Sequence, residues 1–154
     1  MCPCGKFIVA TIYSELVNLY IISTMSLQIT AFYAALLGII QVVLTLGIVT
    51  LRVNDKISIG NGGNQILEYK IRTHGNFVET VPITLLLLAF VEYQKYLSSN
   101  YLNIVASTFV IGRLLHAYSM FFKQGKGLHR PIGMVMTIAC IASLSILILI
   151  KTKL

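Results

Sequence analysis

The stretch RTHGNFVETVPITLLLLAF, residues 72–90, decides how this chain is read. It opens on charged and hydrogen-bonding side chains and then runs without interruption into apolar residues. Arg72, Asn76 and Glu79 stand at i, i+4 and i+7, which places them on one face of a helix. A carboxylate facing lipid at mid-depth costs roughly 2.5–3.5 kcal/mol or more, so Glu79 is expected to face protein or a polar cavity. Pro82 follows, where it either bends the helix or frees a carbonyl.

On both sides of this stretch the chain has the same apolar character. Of 154 residues, 56% are hydrophobic and only 11% charged, and the mean hydropathy is +0.83. A soluble domain needs more surface charge than this. Four apolar runs account for the imbalance: about 27–51, 67–91, 101–122 and 131–150. Each is long enough to cross a hydrocarbon core of ~30 Å at a rise of about 1.5 Å per residue. The expected fold is therefore all-α, an integral membrane four-helix bundle. Residues 25–154 form its single domain. Residues 1–24 read as an N-terminal extension or an amphipathic segment lying on the membrane, since Glu15 and Asn18 interrupt their apolar run. The sequence MSLQITAFYAALLG from Met25 also reads as a membrane-protein start.

The net charge of +7 comes from basic residues beside the apolar runs, where topology and lipid headgroups explain it without nucleic acid. Arg52, Lys56, Lys70 and Arg72 surround the first loop, and Lys123, Lys126 and Arg130 the third. The positive-inside rule puts both loops in the cytoplasm. Cys2, Cys4 and Cys140 complete no disulfide framework or metal site, and no HExxH, Walker or dinucleotide motif is present.

The third run carries a second polar feature, IGRLLHAY, in which Arg113 and His116 share a face. Arg113 lies roughly 15 Å in from the cytoplasmic loop, at a depth like that of Glu79. The two are either a buried ion pair that fixes helix register or two walls of a polar pocket. Together with Arg52, Arg72 and Arg130, such a pocket suits an anionic ligand that also carries an ammonium group. Arginine forks hold carboxylates, and a glutamate takes an amine. Anionic lipid headgroups are a second class of ligand for it.

These pieces together resemble the MAPEG family, the membrane-associated proteins of eicosanoid and glutathione metabolism, and most of all its small bacterial branch. The matching residues are Glu68-Tyr69, Arg72, Asn76, Glu79 and Pro82, then Gly112, Arg113, His116 and Tyr118, then Arg130-Pro131. The resemblance covers roughly residues 27–150. It implies a homotrimer in a bacterial inner membrane, with glutathione as co-substrate between subunits near the cytoplasmic face. By position it implies that Arg72, Asn76 and Glu79 hold the peptide with His74 at its edge. Arg52 would reach the ligand, His116 and Arg130 would complete the wall, and Arg113 would be catalytic, stabilising the thiolate. Tyr118 is offset from the place where some members carry a ligand-binding tyrosine. Gly75 stands where some eukaryotic members have arginine, and the loop before Arg130 is one residue longer than theirs. The activity implied is that of a transferase or peroxidase acting on a hydrophobic electrophile or lipid hydroperoxide. Because some members bind or scaffold without turnover, the alternative is a non-catalytic protein that binds a lipid or fatty-acid carboxylate, or a structural one.

Overall fold

A computed structural model describes residues 27–152. The expectations for residues 1–24 and for a start at Met25 lie outside that range. Four helices follow one another: α1 (Gln28–Asp55), α2 (Gln65–Tyr93), α3 (Ser99–Lys123) and α4 (His129–Lys151). Each is long and apolar enough to cross a membrane.

The central pair is α2 and α3, which touch each other. Each also touches both α1 and α4, whereas α1 and α4 do not meet. Sequence periodicity produces this arrangement. On α3 the buried residues include Leu102, Ala106, Phe109, Arg113, His116 and Met120, alternating steps of four and three that keep one seam facing the bundle. On α2 the buried line runs Phe77, Val81, Thr84, Leu88 and Val91. Two apolar clusters result. One joins Leu37, Leu44, Phe77, Val81 and Phe109, and the other joins Leu88, Val91, Leu102, Ala106 and Leu144.

Outward faces are apolar as well. Ile39, Leu46, Ile104, Val135 and Leu149 are all more than half exposed, as a lipid solvent requires. Pro82 is itself exposed, and α2 continues through it to Tyr93.

Small residues set the closest approaches. A methyl group added at Gly47 would lie 2.2 Å from the Phe121 ring, so this glycine lets α3 seat an aromatic against α1. At the α3–α4 crossing, Gly112 and Gly133 bring the two backbones together.

The helix ends are tied by side chains. Asn64 caps α2, accepting from the amides of Ile66 and Leu67 at 2.9 and 3.1 Å. The start of α1 has no cap of its own. Instead the Glu92 carboxylate, from the far end of α2, accepts from the amides of Ile29 and Thr30 at 2.9 and 2.8 Å. A charge there also meets the positive end of the helix dipole. Glu92→Ala should therefore lower stability by about 1–2 kcal/mol, seen as a lower Tm in detergent. An unchanged Tm would show that the cap contributes nothing.

Candidate active site

The C-terminal ends of α1 and α3 and the N-terminal ends of α2 and α4 meet at one end of the bundle, the end that carries the basic loops. A cavity of about 1030 Å³ opens there. From α2 it takes Glu68, Arg72, Gly75, Asn76 and Glu79, from α1 Arg52, from α3 His116 and Met120, and from α4 Arg130, Pro131 and Met134. Steps of three and four along α2 put its share on one face.

The wall is built step by step from local structure. Arg72 is fixed through Nε to Glu68 at 2.9 Å, one helical turn back. Asn61 in the first loop donates to the other oxygen of Glu68 at 3.2 Å, so the loop and α2 together orient the Arg72 fork. Arg52 donates to the Ser58 carbonyl at 3.0 Å. That bond holds the first loop against the end of α1 beside the cavity. Gly75 has open space where a side chain would stand, and this widens the cavity. The start of α4 lacks a side-chain cap, so its first-turn amides and positive dipole end favour an anion near Arg130.

Arg113 is wholly buried at 0% exposure and does not form part of the wall. It donates from Nη2 to Asn76 Oδ1 at 2.8 Å and from Nη1 to Thr137 Oγ1 at 3.4 Å, and its plane lies over the Phe77 ring. The Thr137 hydroxyl donates to the Gly133 carbonyl at 2.8 Å, which leaves its lone pairs for Arg113. Neither expectation for Glu79 and Arg113 holds: no ion pair joins them, and of the two only Glu79 lines the cavity. Among the described residues the one ion pair is Arg72 with Glu68. Glu79 is exposed, on the open side of the cavity. Arg113 thus orients the Asn76 amide from behind, and the guanidinium groups that face the cavity are those of Arg52, Arg72 and Arg130. His116 is on the wall, 5% exposed, with Nδ1 unpartnered among the described residues.

Two further expected residues point elsewhere. His74 is two positions from both Arg72 and Asn76, about 200° around the helix. It meets Thr45 on α1, Nε2 to Oγ1 at 3.1 Å, while Thr45 donates to the Gln41 carbonyl at 2.9 Å. Tyr118, two positions from His116, faces the outside of the bundle. Glu68 was matched in the sequence but given no role there. Its spacing of four before Arg72 was the available signal for its place in the wall.

The fold and cavity describe a small membrane protein with an arginine-lined site at one end of a four-helix bundle. A model of the MAPEG family matches residues 30–150, and the chain belongs to that family. It is also similar to Inner membrane protein YecN of Escherichia coli K12. The two are 32% identical over 91 residues, which is 59% of this chain and 69% of that protein. The protein of the same name from Escherichia coli O6:H1 matches to the same extent.

Proposed function

We propose that the cavity binds glutathione, and that the protein is a glutathione-dependent transferase or peroxidase of a bacterial inner membrane. The observation that carries this reading is the composition of the wall. Arg52, Arg72 and Arg130 converge on one space with Asn76 and with two acids, of which Glu68 is engaged by Arg72 and Asn61 and Glu79 has no partner among the described residues. Glutathione has two carboxylates, one ammonium group, two peptide units and a thiol. The arginines suit its carboxylates, Glu79 its ammonium and Asn76 its peptide. The cavity lies at the upper end of the ~300–1,000 Å³ usual for small-molecule sites, which leaves room for a second reactant.

Arg130 stands at the uncapped start of α4, where the cation and the helix dipole both favour a thiolate over a thiol. The thiolate would attack a hydrophobic electrophile entering from the bilayer side. With a lipid hydroperoxide, two glutathione molecules would yield the alcohol, water and the disulfide. Ile71, Met120, Pro131 and Met134 supply the apolar part of the wall against which such a reactant packs.

Assembly as a homotrimer is part of the proposal. The open side of the cavity, the exposed Glu79, and the exposed Gln41 and Thr45 on the outer face of α1 are polar features that a bilayer would not solvate and a second copy would cover. The inner-membrane assignment rests on the name of the YecN relative, and the cytoplasmic orientation of the site on the basic loops.

Ultraviolet difference spectra of the purified protein with glutathione test the chemistry. Wild type is expected to show thiolate absorbance at neutral pH and to conjugate a hydrophobic aryl halide. Arg130→Ala should lose the thiolate signal. Glutathione bound only as the thiol, with no turnover of electrophiles or hydroperoxides, would instead favour a non-catalytic carboxylate-binding role.

A further inference from the structure

On the face of α3 turned away from the cavity lies a second cluster that the proposed chemistry does not use. Tyr118 packs its ring edge-on to His129 at 5.9 Å and against Phe122 at 5.9 Å. The Lys123 ammonium sits over the same tyrosine ring, 5.6 Å from its centre. Lys123 is the last residue of α3 and His129 the first of α4. The cluster therefore stands at the level where a span leaves the hydrocarbon. None of these four residues lines the arginine-rich cavity.

Helix geometry separates the two sites. On α4, Arg130 and Met134 lie on one flank of the buried Gly133–Thr137 line, while His129, Ile132 and Met136 lie on the other. The latter flank adjoins α3, because a methyl group on Gly112 would touch Met136 Cβ. From Tyr118 an exposed apolar line runs along α3 as Leu114 and Ile111, one turn apart, and Ile132 is exposed on the His129 flank of α4. A cation and an imidazole at the headgroup level thus top exposed aliphatic side chains on both helices.

Charge identifies the occupant. No Asp or Glu occurs anywhere after Glu92, while Lys123, Lys126 and Arg130 fall within one short segment. The α3–α4 end carries positive charge with no acid of its own elements to balance it. Phe122 of the cluster is 72% exposed, and Leu128 beside His129 is 73% exposed. A water-facing surface would not place them there, and a lipid-facing one would.

We propose that the outer α3–α4 groove is a binding site for an anionic phospholipid. Its phosphate would be held by Lys123 and His129 over the Tyr118 ring, and one acyl chain would lie along Leu114, Ile111 and Ile132. The site is independent of the glutathione reading.

The test reconstitutes the full chain into vesicles of equal parts dioleoylphosphatidylglycerol and dioleoylphosphatidylcholine, re-extracts it into neutral detergent, and measures by mass spectrometry the lipid it retains. Wild type is expected to be enriched several-fold in the anionic lipid. A basic side chain near the surface contributes about a fivefold preference, so Lys123→Gln with His129→Gln should return the ratio close to that of the vesicles. The double variant should stay monodisperse in detergent with the Tm of wild type, which shows that it is folded. Arg130→Ala should keep the enrichment. Enrichment unchanged in the double variant would overturn the proposal. So would equal displacement of the lipid by millimolar inorganic phosphate, which would mean an ion site with no chain groove. Efficient crosslinking of Tyr118→Cys to a second copy would put protein in the groove and overturn it too.

Discussion

Gly133→Leu is expected to destroy the folded bundle. A Cβ at this position would lie 2.4 Å from the Gly112 carbonyl oxygen and 2.7 Å from the His116 amide nitrogen. Both are backbone atoms inside a regular helix, so neither can swing aside, and α4 as a whole must move away from α3. Overpacking that the core can absorb costs about 1–3 kcal/mol, and displacing a helix axis costs more. The site is lost with the fold, since the same crossing sets Arg130 opposite His116. Thermal unfolding in detergent should show a large fall in Tm or no monodisperse protein at all. Gly112→Ala should be milder, because its new methyl group meets Met136 Cβ at 3.0 Å and the Gly133 oxygen at 3.1 Å. A Gly133→Leu variant with wild-type Tm would contradict the close crossing.

Arg113→Met should separate stability from binding. The guanidinium is 0% exposed, has no carboxylate partner among the described residues, and leaves Nε without an acceptor. A buried charge held only by neutral groups is expensive. Its replacement by an apolar chain of similar length should leave the Tm unchanged or raise it. Binding should move the other way. Asn76 then loses the donor that fixes its amide, and a hydrogen bond to a charged group contributes about 1.5–3 kcal/mol, equivalent to roughly 10–100-fold in affinity for glutathione. Arg113→Lys should not restore it, because a single ammonium cannot reach Asn76 and Thr137 as a planar fork does. Calorimetry and thermal unfolding on the same preparations check both halves. A lower Tm with unchanged affinity would make Arg113 a purely structural residue.

The helices and the site were legible to different degrees. The four apolar runs matched the observed helices closely, because hydrocarbon admits little other than a continuous helix and that requirement is written in composition. The termini were read short: α1 runs on to Asp55 and α2 begins at Gln65. Charged residues can extend a helix beyond the lipid without cost, so hydropathy does not mark the true ends. Spacing along α2 grouped Arg72, Asn76 and Glu79, and the structure lines them along one cavity. The same rule, applied to His74 and Tyr118, puts them on the opposite faces where they are found. It was the family resemblance that suggested His74 for the site. Depth was the weaker guide. Glu79 and Arg113 do occupy similar levels, but rotation about the helix axes turns one outward and buries the other behind Asn76. The Glu92 cap on α1 was not legible, because it joins residues more than sixty positions apart that only the antiparallel packing brings together.

Glutathione occupancy of the cavity is tested by calorimetric titration of the detergent-purified, folded protein with glutathione, alongside Glu79→Ala and Asn76→Ala. Saturable binding in the micromolar to millimolar range, weakened at least tenfold in both variants (about 1.4 kcal/mol each), is the expected result. No heat of binding from a folded, oligomeric protein, or equal affinity in all three forms, would contradict it.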